Sequence, residues 1–355
     1  MKAADQAVTI RKGEELDEKK VEMFLKDSIP GLSGDIEVLQ FPGGYSNLTY
    51  CLRVGERELV LRRPPFGSKV KSAHDMGREY RVLKALKPYF PYCPAPLAYT
   101  EDTSVLGCPF YVMERIKGII LRKTLPEGMT LTSEDMNVMC HSLISVHAEL
   151  HAVDYKAAGL DNLGNPEGYV TRQVEGWSKR FRASHTADAP DYENIMRWLH
   201  EKMPGESSCH AIIHNDYKFD NVILDPSNPT RIIGVLDWEM TTLGDPLMDL
   251  GASLAYWIEK NDPSDLRAVK MMITDHDGAL TRKEILEVYA EKTGRAIDNF
   301  DFYYCYGLFR LAVIVQQIYY RFYHGLTQDK RFGELIHLVN VLEKTARNVI
   351  DRSQL

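Results

Sequence analysis

An α+β chain of two unequal lobes is predicted by three features. Short alternating apolar segments joined by glycine turns fill the first third, and helical apolar periodicities fill the remainder. The change between them falls near residues 116–120, and 355 residues suit two packed units better than one small domain. With 44% hydrophobic and 26% charged residues, the composition is that of a folded chain and excludes disordered or collagen-like ones. Lobes of such different make-up meet at a cleft, which is where ligands bind.

Between Glu14 and Ser28, Leu16, Val21, Phe24 and Leu25 are spaced for an amphipathic helix inside an N-terminal extension, residues 1–34. Asp35 to Phe41, Asn47 to Val54 and Glu58 to Arg63 then read as an antiparallel meander. Its turns are Pro42-Gly43-Gly44 and Gly55-Glu56-Arg57, and Pro64-Pro65 ends it. Met76 to Leu86 is helical and Cys108 to Ile116 is a further strand, which completes a β-rich lobe of residues 35–116. In residues 117–355, helices are expected at 133–151, 170–182, 192–203, 246–259, 282–293, 299–323 and 329–351, and strands only at 222–224 and 231–236.

Composition also excludes function classes. A net charge of −7 argues against a nucleic-acid partner, which needs basic groups to neutralise phosphate. Six cysteines without a CxxC pair read as reduced thiols of a cytoplasmic protein. The N-terminus lacks a signal-like apolar stretch. No run reaches the ~18 apolar residues of a membrane span; Tyr303 to Tyr323 is interrupted by Arg310, Gln316, Gln317 and Arg321. No membrane partner is expected, and the oligomeric state is a monomer or homodimer.

The informative run is His214-Asn215-Asp216-Tyr217-Lys218-Phe219-Asp220-Asn221, which has the form H-x-D-x-K-x-x-N and leads into the apolar Val222-Ile223-Leu224. A second apolar run, Ile232 to Leu236, ends in Asp237-Trp238-Glu239. Two short strands would bring the Asp216 loop and Asp237 into one mouth. Phosphoryl transfer needs such a set: a carboxylate to orient the attacking hydroxyl, and a carboxamide with a second carboxylate to hold Mg²⁺ against phosphate oxygens. Lys218 can offset the charge of the transferred group. Glu239 reads as a second metal contact or as a helix-start acid, with the latter favoured.

These motifs resemble those of the aminoglycoside phosphotransferase family, small-molecule kinases with a protein-kinase-like fold, across roughly residues 30–350. The resemblance implies that Asp216 is the catalytic base, with Lys218 beside it, and that Asn221 and Asp237 are metal ligands. His214 would brace the loop, and Asp249 in Gly244-Asp245-Pro246-Leu247-Met248-Asp249-Leu250 matches a scaffold segment of the family. Gly43, Gly44, Tyr45, Ser46 and Asn47 resemble the loop that folds over nucleotide phosphates, where backbone approach favours glycine. Arg62, paired with Glu79, stands where the family most often has lysine and would bind the α- and β-phosphates of ATP. Tyr111 to Ile116 resembles the interlobe hinge, the backbone of Glu114 and Ile116 bonding adenine with Met113 beside it. The implied activity is ATP- and Mg²⁺-dependent transfer of the γ-phosphate to a hydroxyl of a small molecule.

Thr171 to Arg180 and Phe309-Arg310-Leu311-Ala312 resemble the branch also found fused to acyl-CoA dehydrogenases, which makes a hydroxyacyl-CoA kinase the alternative to an antibiotic-modifying enzyme. A nucleotide-binding pseudokinase or scaffold is the alternative of another class, and Arg62 is its support. His147 and His151 share a helix face, but HAELH lacks the HExxH order, so a packed or capping role is favoured over zinc. Arg172, Lys179, Arg180 and Arg182 read as a solvated face ahead of a CoA-phosphate contact. The aromatic stripe from Tyr303 to Tyr323 reads as core, part of which can line an acceptor pocket.

Overall fold

The computed structural model describes residues 6–42, 47–66, 75–205 and 209–355. Its first lobe is a five-stranded antiparallel sheet of order β1-β2-β3-β5-β4. The strands are β1 (Ile36–Gln40), β2 (Leu48–Val54), β3 (Arg57–Arg63), β4 (Pro96–Thr100) and β5 (Phe110–Glu114). The β2–β3 hairpin pairs Val54 with Arg57 across a turn in which Gly55 takes φ +57°, a conformation that suits glycine. Helix α1 (Glu18–Ser28) starts where the Asp17 carboxylate accepts the Lys20 amide, four residues later than its apolar spacing suggests. Its Val21 and Leu25 join the sheet core of Tyr50, Leu52, Leu61 and Val112, and Phe24 meets Phe110 edge to face at 5.0 Å. Helix α2 (Met76–Leu86) is capped by Asp75, which accepts the Arg78 amide, and so carries Glu79 in its first turn.

Two elements of this lobe were not expected. Pro94 and Pro96 obscure β4, which bulges between Pro96 and Ala98 and occupies the sheet edge, where proline is tolerated. The four-residue α3 (Thr103–Leu106) is too short to show a period.

The second lobe is helical. It contains α4 (Ser133–Ala152), α5 (Tyr169–Ser184), α6 (Glu193–Glu201), α7 (Pro246–Leu254), α8 (Ser264–Ala268), α9 (Arg282–Thr293), α10 (Phe300–Tyr323) and α11 (Leu335–Arg352). Helix α7 ends at Leu254, five residues before the expected end at Glu259, and a 3-10 turn at Lys330–Glu334 precedes α11. Two small antiparallel ribbons carry the loops between them: β6 (Ala211–Ile213) pairs β9 (Thr242–Gly244), and β7 (Val222–Asp225) pairs β8 (Asn228–Val235).

Helix α10 is buried around most of its circumference and runs under the site. It crosses α7 at a glycine pair: a Cβ on Gly307 would lie 2.1 Å from the Gly251 carbonyl oxygen, and one on Gly251 would lie 2.2 Å from that of Tyr303. This contact brings Asp249 and Arg310 beneath one loop. A continuous core joins the lobes, with Val82, Leu83 and Phe90 from the first and Leu143, Val235 and Trp238 from the second. Among the described residues no helix is long and apolar enough to cross a membrane. The six cysteines are free thiols, four of them buried.

Candidate active site

The loop from His214 to Asn221 joins β6 to β7 and is held by its backbone. The buried Asp249 carboxylate on α7 accepts the amides of His214 and Asn215, each at 2.7 Å. Asn215 sits at φ +66°, costly for a residue with a side chain. Its remaining groups pin it there: Nδ2 donates to the Met240 carbonyl (3.0 Å), Oδ1 accepts from the Tyr169 hydroxyl (3.3 Å), and its carbonyl accepts from Arg310 (2.7 Å). The His214 Nε2–H donates to the Leu236 carbonyl at 2.9 Å, and Nδ1 accepts the Asp216 amide at 3.3 Å, which defines a neutral ring. Burial pushes that imidazole below the ordinary histidine range. His214 thereby ties the loop to the residue just before Asp237.

Asp216 is the hub of this loop. Its Oδ2 accepts from Asn221 Nδ2 at 2.8 Å and from the Lys218 ammonium, and Asn221 also donates to the Asp216 carbonyl at 2.7 Å. Lys218 is nearly enclosed. Burial opposes its charge, but Tyr256, Asp216 and Asp220 outweigh burial and raise its pKa, so the ammonium is retained. It lies 4.9 Å from the Tyr256 ring centre and 3.6 Å from Asp220. For Asp220, burial raises the carboxyl pKa and Lys218 offsets part of the rise.

Across the cleft, Arg62 on β3 gathers three carboxylates. It donates to Glu79 Oε1 at 2.7 Å and to Asp237 Oδ1 at 3.1 Å, and its Nη2 lies 3.5 Å from Glu239 Oε2. Arg62 is only 8% and Glu79 only 2% exposed, so this pair within the first lobe is shielded from solvent. Burial opposes the guanidinium charge, yet Glu79, Asp237 and Glu239 keep its pKa well above the ordinary value. Burial raises Glu79, with Arg62 offsetting part of it, whereas at Asp237 Arg62 overcomes burial and the pKa falls. Asp237 itself sits at φ +68°. Glu239, favoured from sequence as a helix-start acid, does lie in a 3-10 turn, Trp238–Met240. It also accepts from Asn47 Nδ2 at 2.7 Å and lines the cleft, so it belongs to the cluster.

A cavity of about 210 Å³ lies between these groups, lined by Asn47, Arg62, Glu79, Met113, Glu114, Ile116, Asn221, Asp237 and Glu239 among others. Asp216 and Lys218 are not in its lining; they stand behind Asn221, bonded to it or to each other. Of the nucleotide residues expected from sequence, Gly43, Gly44, Tyr45 and Ser46 lie outside the described residues, and Asn47, Arg62, Glu79, Met113, Glu114 and Ile116 line this one cavity. The Glu114 amide is already donated to the Ala95 carbonyl at 2.9 Å. Any backbone bond from Glu114 to a base must therefore come from its carbonyl.

Other groups singled out by sequence sit elsewhere. Arg182 pairs with Glu193 on the surface through bonds of 2.8 and 2.7 Å, and Arg172 donates to the carbonyls of Glu167 and Asn165. Arg180 packs over Trp177, 4.6 Å from its ring centre, and Arg310 packs on the same ring at 5.3 Å. His147 and His151 are buried and both contact Asp249. The parts that sequence reasoning did not assign are the Asn47–Glu239 contact and the Arg310 bond to Asn215 O. A lone arginine within an otherwise apolar helix was the available signal for the second.

Comparison with known proteins bears on the family and the fold. Residues 37–276 match the model of the phosphotransferase enzyme family. Acyl-CoA dehydrogenase family member 10 of Mus musculus is 35% identical over 315 residues, 88% of this chain and 29% of that protein. Family member 11 of Rattus norvegicus is 33% identical over 316 residues, 87% of this chain and 40% of that protein. The chain thus spans well under half the length of these two relatives. A Ralstonia eutropha protein whose crystal structure carries an aminoglycoside phosphotransferase designation superimposes with a TM-score of 0.82 at 29% identity, covering 96% of this chain and 100% of that one. Choline kinase from Cryptosporidium parvum shares the fold, with a TM-score of 0.64 at 14% identity over 94% of this chain and 96% of that one. The chain, with its kinase-like α+β fold, belongs to the phosphotransferase enzyme family.

Proposed function

We propose that the chain is an ATP- and Mg²⁺-dependent O-phosphotransferase that moves the γ-phosphate of ATP to a hydroxyl of a small molecule. The observation that carries this reading is a cleft lined by Arg62, Glu79, Asn221, Asp237 and Glu239, with Asp216 bonded behind Asn221 and Lys218 bonded to Asp216. The donors suit a hard cation: Asn221, Asp237 and Glu239 offer carboxamide and carboxylate oxygens, and among the described residues no imidazole or thiol lines the cavity. Arg62 already places positive charge on Asp237 and Glu239, the same electrostatic demand that Mg²⁺ meets. Bound there, Mg²⁺ would neutralise charge on the phosphate oxygens.

The chain's own residues supply the rest. The Asp216 carboxylate orients the acceptor hydroxyl and takes its proton as the oxygen–phosphorus bond forms and ADP departs. Lys218 stays charged beside it and offsets the negative charge of the transferred group. Arg62, held by Glu79, faces the remaining phosphates, and the hinge residues Met113 to Ile116 receive the base.

The acceptor class rests on the relatives: both mammalian proteins are named as acyl-CoA dehydrogenase family members, which favours a hydroxyacyl-CoA over an aminoglycoside. The test incubates the chain with ATP and Mg²⁺ against aminoglycosides and hydroxyacyl-CoAs side by side. Acceptor-dependent formation of ADP and a phosphorylated hydroxyacyl-CoA is expected. ATP binding without transfer to any acceptor would favour a scaffold.

A further inference from the structure

We propose that Arg78 is a positioning residue: from the first lobe it holds the turn of residues 237–241 in the second, and so sets where Asp237 and Glu239 stand in the cleft. The consequence for nucleotide binding rests on the phosphotransferase reading above.

Arg78 stands in the first turn of α2, one residue before Glu79, and reaches out of its own lobe. Its Nη1 donates to the Glu239 carbonyl at 3.3 Å. Its Nη2 donates to the Leu163 carbonyl at 3.4 Å and to the Thr241 carbonyl. All three acceptors are backbone atoms of the second lobe. The side chain is half-buried; burial lowers its pKa, and the carboxylates of Asp75 and Glu79 offset only part of the fall. The guanidinium is therefore met chiefly by carbonyl oxygens.

The turn needs holding. Asp237 sits at φ +68°, a conformation that persists only where its surroundings over-determine it. The Met240 carbonyl accepts from Asn215 Nδ2 at 3.0 Å, so of three successive carbonyls the outer two go to Arg78 and the middle one to the Asp216 loop. The turn is thereby clasped from both lobes. Glu79 meets it as well: burial raises the Glu79 pKa, and the Trp238 amide is among the groups that oppose the rise. Consecutive residues of one helix thus serve one cleft, Glu79 by holding Arg62 and Arg78 by holding the backbone on either side of Met240. Arginine suits this task because two nitrogens of one rigid plane reach carbonyls from two segments, whereas a lysine ammonium donates from a single point. Without Arg78 the Glu239 and Thr241 carbonyls lose a donor, and Thr241 is fully buried, where water does not readily replace one.

Thr241 donates its own amide to the Trp238 carbonyl at 3.2 Å, which makes that amide a reporter of the turn. Hydrogen exchange of the full chain compares the parent with Arg78→Met, which keeps the stem and loses the donors, and with Arg78→Lys, which keeps the charge. Protection at Thr241 is expected to fall by about tenfold or more in the Met variant and by less in the Lys variant, with the amides of α10 and of the β2–β3 hairpin within about threefold of the parent. In the same Met variant the KM for ATP with Mg²⁺ rises about tenfold while kcat stays within about threefold, since Asp249 and Arg310 still hold the Asp216 loop. Unchanged protection at Thr241 overturns the proposal. So does a loss spread evenly over α10 and the hairpin, or an unchanged KM beside a loosened turn. A turn that loosens in a chain whose parent binds no ATP supports the positioning role and refutes the phosphotransferase reading instead. Arg78→Gln repeats the comparison where the Met variant does not fold.

Discussion

Replacing Arg62 by methionine removes the one cation paired with Glu79 among the described residues and leaves a carboxylate that is 2% exposed. Breaking a buried pair from one side costs about 3–5 kcal/mol, because the surviving charge stays desolvated. Glu79 has a way out. Burial already raises its pKa, and without Arg62 it rises further, so part of the cost appears as proton uptake. Removing that charge in turn, with Arg62→Met combined with Glu79→Gln, should recover most of the loss. The cycle then yields a coupling energy of about 2–3 kcal/mol. Urea unfolding of the parent, both single variants and the double variant gives each term, provided the slope of free energy against urea is the same in all four. Arg62→Lys keeps the charge at Glu79 but gives up the forked reach to Asp237, for about 1 kcal/mol. A methionine variant that costs under about 1 kcal/mol, as an exposed pair does, refutes the reasoning. So does a double variant no more stable than the sum of its parts.

Other expectations concern acid, packing and the tie between the lobes. Burial holds His151 at about 4 instead of 6.5, so the unfolded chain binds its proton first as pH falls. Stability present above about pH 6.5 is therefore lost on descent to pH 4, by about 3 kcal/mol, and Asp249, with its own depressed pKa, adds a loss in the same direction at lower pH. Unfolding midpoints at neutral and acidic pH check this, and His151→Gln flattens the upper part of the profile. Gly307→Ala sets a Cβ 2.1 Å from the Gly251 carbonyl oxygen, and the unfolding free energy should fall by about 1–3 kcal/mol as α7 and α10 separate. Asn47→Leu removes the 2.7 Å bond to Glu239; the KM for ATP should rise about fivefold while the unfolding midpoint barely moves.

What the sequence disclosed was what lies close together along the chain. The β1–β3 meander is marked by its glycine turns, and Met76–Leu86, read as helical from sequence, is α2 at its observed limits. The reactive loop is equally local: Lys218 and Asn221 both bond to Asp216 within six residues, and Asp237 lies two residues past the strand that pairs with β7. Three-residue strands such as β6 and β9 leave no period to read, and the prolines before β4 argue against a strand that exists at the edge. Tertiary partners were the least legible. Glu239 looked like a helix-start acid because its partner Asn47 lies 192 residues away, and the bond from His147 to Asp249 spans 102. A side chain's type and local spacing do not say which distant carboxylate it meets. Arg310 was visible as a charge in an apolar helix, but its target, the Asn215 carbonyl, is known only once Gly307 and Gly251 bring α10 against α7.

In the proposed function, Asp216 presents the acceptor hydroxyl to ATP from a loop fixed independently of the nucleotide cavity. Single-turnover transfer of labelled γ-phosphate in Asp216→Asn tests it directly, with ATP affinity measured on the same protein. Transfer is predicted to fall by about 10²–10⁴-fold while ATP affinity stays within about twofold of the parent. Transfer at the parent rate in that variant would contradict the account.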